Sequence, residues 1–202
     1  MTTALPESRP GPDGVLLSLR GITKSFGAVH ALRGVDLDIS AGEVVALLGD
    51  NGAGKSTLVK ILAGVHSADS GTITFRGQSV TINSPADAKR LGIATVYQDL
   101  ALCDNLDVVA NLFLGRETKR WLLSEEEMEE EALKLIDELS AKIPSVRTPV
   151  AGLSGGQRQT VAIARSLIGQ PCIVILDEPT AALGVAQTAE VLNLVERLRA
   201  RR

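Results

Sequence analysis

Residues 44–62, VVALLGDNGAGKSTLVKIL, narrow the possible folds more than any other part of the chain. The run 44–48 is continuously apolar, as expected of a strand covered on both faces by helices. Gly49, Asp50, Asn51, Gly52, Ala53, Gly54, Lys55 and Ser56 then fit the phosphate-loop spacing, and residues 58–62 continue as an apolar helix. Strand, glycine-rich turn and helix in that order call for an α/β fold. The glycines let backbone N–H groups close around phosphate oxygens, and the helix N-terminus adds positive potential. Lys55 is placed to reach the β and γ phosphates, and Ser56 to offer its hydroxyl to Mg2+. The alternative, a glycine-rich turn without a ligand, does not call for a lysine and a hydroxyl at these two positions.

A second apolar run, CIVIL at 172–176, ends directly on Asp177 and Glu178. Carboxylates at the C-terminal edge of a sheet sit where α/β folds bind ligands. Asp177 suits a Mg2+ ion held through water, and Glu178 suits polarising a water aimed at the γ-phosphate. Pro179 and Thr180 then stop the strand. Elsewhere VLLSLR (15–20), VDLDI (35–39) and TITFR (72–76) alternate apolar and polar residues and predict half-exposed antiparallel strands. Between the two apolar runs lies a helical middle, roughly 94–166. There Ser124 with Glu127 makes a capping-box pattern, and Met128, Ala132, Leu135, Ile136 and Leu139 recur at helical spacing. Pro144 and Pro149 mark a loop.

That loop leads to LSGGQ at 153–157. Ser154 and Gln157 satisfy the capping-box template, so the segment reads as the start of a helix through Val161, Ile163, Ala164, Leu167 and Ile168. A serine hydroxyl, the glycine N–H groups of Gly155 and Gly156 and a helix N-terminus also make an anion site. One nucleotide has no use for two such sites in one chain. Two copies facing head to tail share it, each closing its LSGGQ over the γ-phosphate held by the other. Both readings stand on the sequence.

Composition removes other classes. A chain of 202 residues buries a sizeable core, but at 45% hydrophobic its apolar runs remain too short to span a bilayer. A net charge of −3 with 2% aromatics disfavours a general nucleic-acid binder. Arg197, Arg199, Arg201 and Arg202 read as a solvated helix face. Cys103 and Cys172 are expected as small apolar filler, not a disulfide. Residues 1–14 read as a flexible tail without a secretion signal, which places the chain in the cytoplasm.

GDNGAGKST, LSGGQRQ and CIVILDEP, in that order, resemble the nucleotide-binding domain of ABC ATPases over nearly all of residues 15–202. The resemblance implies a phosphate-loop NTPase core with an antiparallel β subdomain and a helical insert carrying LSGGQ, with ATP and Mg2+ as cofactors. It implies that Phe26 stacks on adenine, although a core phenylalanine remains the alternative. Gln98, in VYQDLAL, matches the glutamine that reaches Mg2+ and the attacking water and links the site to a membrane partner. Its alternative is a polar strand end. Thr57 would lie on the α-phosphate side, and Ser154, Gly155, Gly156 and Gln157 would serve the ATP of a second ATPase domain. YQDLALCDNLDVVANLFLGRE and DEPTAALGVAQT look like simple-sugar importers, with Gly184 where an aspartate is usual. Partners then follow: membrane permease subunits docking near Gln98 and residues 100–116, and an external solute-binding protein acting indirectly, on the inner face of the cell membrane.

The family pattern runs on to a strand and a switch histidine beyond Glu178. His30 and His66 both precede Asp177, so the chain is expected to be truncated before the switch. Losing one preorganised donor costs about 2.7–4 kcal/mol of transition-state stabilisation, so such a fragment is expected to bind nucleotide with weak or no turnover. Two readings compete with transport: a soluble ABC ATPase acting on nucleic acid or ribosomes, and a nucleotide-binding module without turnover. The first lacks the long coiled-coil insert or paired ATPase domains it calls for, and an intact Glu178 disfavours the second.

Overall fold

The computed structural model describes residues 14–115, 125–181 and 183–200. The expected tail (all but Gly14), the Ser124 half of a capping box, and Arg116, Arg201 and Arg202 therefore lie outside the described residues. The chain divides into two compact units. One takes the described residues up to Ala94 with Pro171–Ile175, the other Thr95–Gln170 and the described residues from Leu176 onward.

The first unit opens with a long hairpin, β1 (Val15–Phe26) and β2 (Val29–Ser40). Helix α1 (Lys55–Leu62), strands β3 (Ser70–Phe75) and β4 (Gln78–Val80) and helix α2 (Pro85–Arg90) follow. The alternating segments pair as expected, in an antiparallel sheet of order β2-β1-β3-β4. Leu17 stands between Ile39 and Phe75, and Leu19 between Leu37 and Ile73, so the apolar set of each strand falls on one face. The register slips between Leu19 and Ile22, and the Asp36 carboxylate accepts the Gly21 N–H at 2.6 Å. On the apolar face Leu58, Ile61 and Leu62 of α1 join Leu17, Leu19, Ile22, Ile73 and Phe75 in one core. The phosphate-loop helix is thereby held against the sheet by its apolar side.

Strands β5 (Ile93–Val96) and β6 (Ile173–Leu176) form a separate two-stranded sheet. The Cys172 N–H donates to the Gly92 carbonyl and the Asp177 N–H to the Val96 carbonyl, both at 2.9 Å. Sequence numbers rise together along the two strands, so they run parallel. The second unit is helical: α3 (Val108–Phe113), α4 (Glu125–Glu138), α5 (Gly155–Leu167) and α6 (Val185–Ala200). Met128, Ala132, Ile136 and Leu139 are all buried, with Val161, Ile163, Val191 and Leu194. Cys103 and Cys172 are half-buried and form no disulfide. Among the described residues no helix is long and apolar enough to cross a membrane.

Two expectations about the apolar runs need correction. Residues 44–48 belong to no strand, and Leu48 is 91% exposed with Val44, Val45 and Leu47 also open. A strand exists only through ladder bonds to a neighbour, and neither sheet extends to this segment, so its backbone has no partner strand and its side chains no cover. The second run does form β6, but only Ile173 is fully buried, while residues 174–176 are half-buried. A two-stranded ribbon cannot bury both faces of its strands as a wide parallel sheet does.

Candidate functional site

The first unit carries the phosphate loop. Gly54 precedes α1 with φ 89°, a left-handed conformation that only glycine adopts at little cost. A Cβ there would lie 2.5 Å from the Ala31 carbonyl oxygen and 2.7 Å from Leu32 Cδ2, so the loop presses directly on β2. No side chain caps α1, which leaves its first N–H groups directed out of the helix end. Lys55 folds back on the loop, its ammonium donating to the Gly49 and Asp50 carbonyls at 2.7 and 2.9 Å. The Ala53 N–H donates to the Asp50 carbonyl and tightens the turn. Asp50, Asn51, Gly52, Ala53 and Ser56 are exposed, with Thr57 half-buried. Open amide donors, an ammonium resting on loop carbonyls and a surface hydroxyl form an arrangement chemically suited to a phosphate chain.

Beside the loop, Gly52 and Ala53 share a cleft of about 350 Å³ with His30, Ala31, Leu32, Arg33 and Val35 of β2. Phe26 closes the same hairpin, paired with Val29 at the end of β1, and is 44% exposed. Its ring is not in the core, which removes the alternative of a core phenylalanine.

The second unit carries Gln98, Asp177, Glu178 and the LSGGQ segment. Asp177 is tied to the end of β5 by the bond from its N–H to Val96. Partial burial, with the Asp177 charge as a smaller cause, pushes the Tyr97 phenol above its ordinary range. Gln98 is itself exposed. Glu178 is exposed and held at φ 49°, uncommon for a side chain of this kind. Such strain persists where surrounding structure over-determines it, as at active sites.

Ser154 caps α5 in a complete capping box. Its hydroxyl accepts from the Gln157 N–H at 3.3 Å, and its own N–H donates to Gln157 Oε1 at 2.9 Å. Gln157 Nε2 also donates to the Lys142 carbonyl. The Gly155 and Gly156 N–H groups fall in the helical turn that has no intrahelical acceptor. A Cβ on Gly156 would touch Gln187 of α6 at 3.3 Å.

Three residues that the sequence did not single out hold this unit's loops. Asn111 is fully buried in α3; its amide donates to the Cys103, Leu106 and Asp107 carbonyls, and its oxygen accepts the Cys103 N–H. Arg165 of α5 donates to the Leu100 and Ala101 carbonyls, and Arg158 pairs with Asp104. The helix behind LSGGQ thus fastens the loop that follows Gln98. A lone polar residue inside VVANLF was the available signal for Asn111; the half-buried Arg158 and Arg165 offered none.

Mg2+ suits these donors in one specific way. Among the described residues no group of three or more His, Cys, Asp or Glu side chains could hold a metal. Mg2+ does not require such a group, because it binds through one or two protein oxygens, waters and substrate phosphates. Taken singly, the Ser56 hydroxyl of the first unit and the Asp177 carboxylate of the second are each hard oxygen donors of that kind.

Comparison with known proteins agrees with these features. The model of the ABC transporter family matches residues 32–181. Over 185 residues the chain is 52% identical to the xylose/arabinose import ATP-binding protein XylG of Sulfolobus acidocaldarius, covering 91% of this chain and 74% of that one. It is 45% identical to the ribose import ATP-binding protein RbsA of Yersinia pestis, but spans only 36% of that relative's length. The ADP conformation of MJ1267, an ATP-binding cassette of an ABC transporter, superposes with a TM-score of 0.83 at 31% identity, covering 93% of this chain and 78% of that one. The dimeric cassette MJ0796, in a post-hydrolysis state with ADP and Pi, gives 0.72 at 28%, covering 91% and 83%. With a phosphate loop opening α1 and a signature turn opening α5, the chain belongs to the ABC transporter ATP-binding family.

Proposed function

We propose that this chain binds and hydrolyses ATP as the motor subunit of an ABC importer for a simple sugar. It would act on the cytoplasmic face of the membrane with permease subunits and a second ATPase domain. The observation that carries the reading is the uncapped start of α1, with Gly54 left-handed and the Lys55 ammonium resting on loop carbonyls. A triphosphate offers Lys55 better acceptors than those carbonyls and gives the helix-end N–H groups the anion they lack.

Within this reading the Gly49 to Gly54 loop holds the phosphates, Lys55 contacts the β and γ oxygens, and Thr57 lies toward the α-phosphate. Phe26 stacks on adenine. Ser56, Asp177 and Gln98 would hold Mg2+, whose charge, when it is bound, offsets that of the phosphates. Glu178 accepts a proton from the water that attacks the γ-phosphorus, as the bond to the β-phosphate oxygen breaks and ADP departs. Gln98 orients that water. Ser154, Gly155, Gly156 and Gln157 close over the nucleotide of a second copy, the arrangement for which the dimeric cassette relative is the support. The identities with sugar-import relatives support the choice of solute class.

The test is ATP-driven self-association and phosphate release for the wild type, Glu178→Gln and Lys55→Ala. Glu178→Gln is expected to bind ATP as tightly as the wild type, to dimerise more persistently, and to release phosphate at least a hundredfold more slowly. Lys55→Ala should lose ATP affinity by at least tenfold. ATP binding by Lys55→Ala equal to the wild type would sink the assignment of the phosphate site.

A further inference from the structure

We infer that His66 is a positioning residue for nucleotide recognition: it fixes the Phe26 ring by tying it to the far end of the phosphate-binding helix. The inference rests on the reading of Phe26 as the adenine-stacking ring. The His66 and Phe26 ring centroids lie 5.2 Å apart at an interplanar angle of 67°, an edge-to-face arrangement of the favourable kind. His66 is not free to wander. Its N–H and that of Val65 donate to the Lys60 carbonyl at 3.2 and 2.8 Å, so the residue is anchored to the last turn of α1.

The same loop grips the other groups around the ring. Asp69 accepts from the Lys24 ammonium and from the Ser25 N–H, each at 2.7 Å, and its own N–H donates to the Thr23 carbonyl. The Lys24 ammonium in turn sits 5.6 Å from the Phe26 centroid. The Ser25 hydroxyl and His30 Nδ1 share a hydrogen bond of 2.9 Å, which steadies the strand beside the cleft. Phe26 is therefore held from the α1 side while 44% of it stays open. Phosphate loop and base platform are joined through one helix: Lys55 begins α1 and His66 follows its end. An aromatic ring already held in place loses less freedom when a base stacks on it, which favours binding.

The inference predicts a loss confined to the base. Affinities for ATP and for inorganic tripolyphosphate are compared for the wild type, Phe26→Ala, His66→Ala and His66→Phe. His66→Ala is expected to weaken ATP binding about threefold to tenfold, the scale of one aromatic pair. Tripolyphosphate affinity should stay within about twofold, and His66→Phe should restore ATP binding. If Phe26→Ala weakens ATP while His66→Ala does not, His66 has no positioning role and this inference alone is overturned. An equal loss of ATP and tripolyphosphate in His66→Ala, or no rescue by His66→Phe, also overturns it, because the effect then lies in α1 as a whole. If Phe26→Ala itself binds ATP like the wild type, the adenine-stacking reading falls and takes this inference with it.

Discussion

Gly54 shows how much one missing side chain can decide. Its φ of 89° and its contact with the Ala31 carbonyl both exclude a Cβ, and both are set by the same close approach of loop and β2. Gly54→Ala is expected to lower stability by about 1–3 kcal/mol and to weaken ATP binding, measured by urea unfolding and by titration with nucleotide. Gly52 makes a useful contrast. It also has a positive φ, but a Cβ there would meet nothing within 4 Å, so only backbone strain opposes substitution. The motif spacing made both glycines legible in the sequence. It did not distinguish them, because the neighbour that presses on Gly54 lies more than twenty residues away.

The helix α5 carries the ambiguity of LSGGQ at the scale of an element. The capping box is present, so Ser154 has a structural task whether or not it meets a nucleotide. Two substitutions separate the tasks. Ser154→Ala removes a cap and should lower stability by about 0.5–2 kcal/mol, whereas Ser154→Gly should cost only about a few tenths. If the hydroxyl also serves a second copy's ATP, both variants should weaken ATP-driven self-association to the same degree despite unequal stability. Self-association that simply follows stability would leave Ser154 a cap and nothing more. The apolar stripe of α5 was readable from residue spacing, as was its start. Arg158 and Arg165 were not, since their acceptors, Asp104 and the carbonyls of Leu100 and Ala101, come from a loop more than fifty residues earlier.

For the whole molecule, surface carboxylates set the response to acid. Hydrogen bonds from Arg20, Lys24 and Ser84 hold Asp38, Asp69 and Asp87, respectively, below the ordinary aspartate range. A carboxylate with a depressed folded-state pKa stabilises the fold above its unfolded value, and that contribution is lost as pH falls through the folded value. Unfolding midpoints should therefore be flat from about pH 5 upward and fall below about pH 4. Asp69→Asn should remove part of that fall, and added salt should shrink it, because these groups are exposed. The phosphate-loop spacing, the carboxylate pair after CIVIL, the three alternating strands and the helical stripes can all be read from residue order alone. Each of these is encoded by local spacing and by the side chains' preference for water or for burial. The exposure of residues 44–48, the contact of His66 with Phe26, and the hold of Asn111 and Arg165 on the loop after Gln98 arise from the folded arrangement. A ladder partner, a ring contact or a carbonyl acceptor from a distant segment is a property of where the chain returns in space, which local periodicity does not encode.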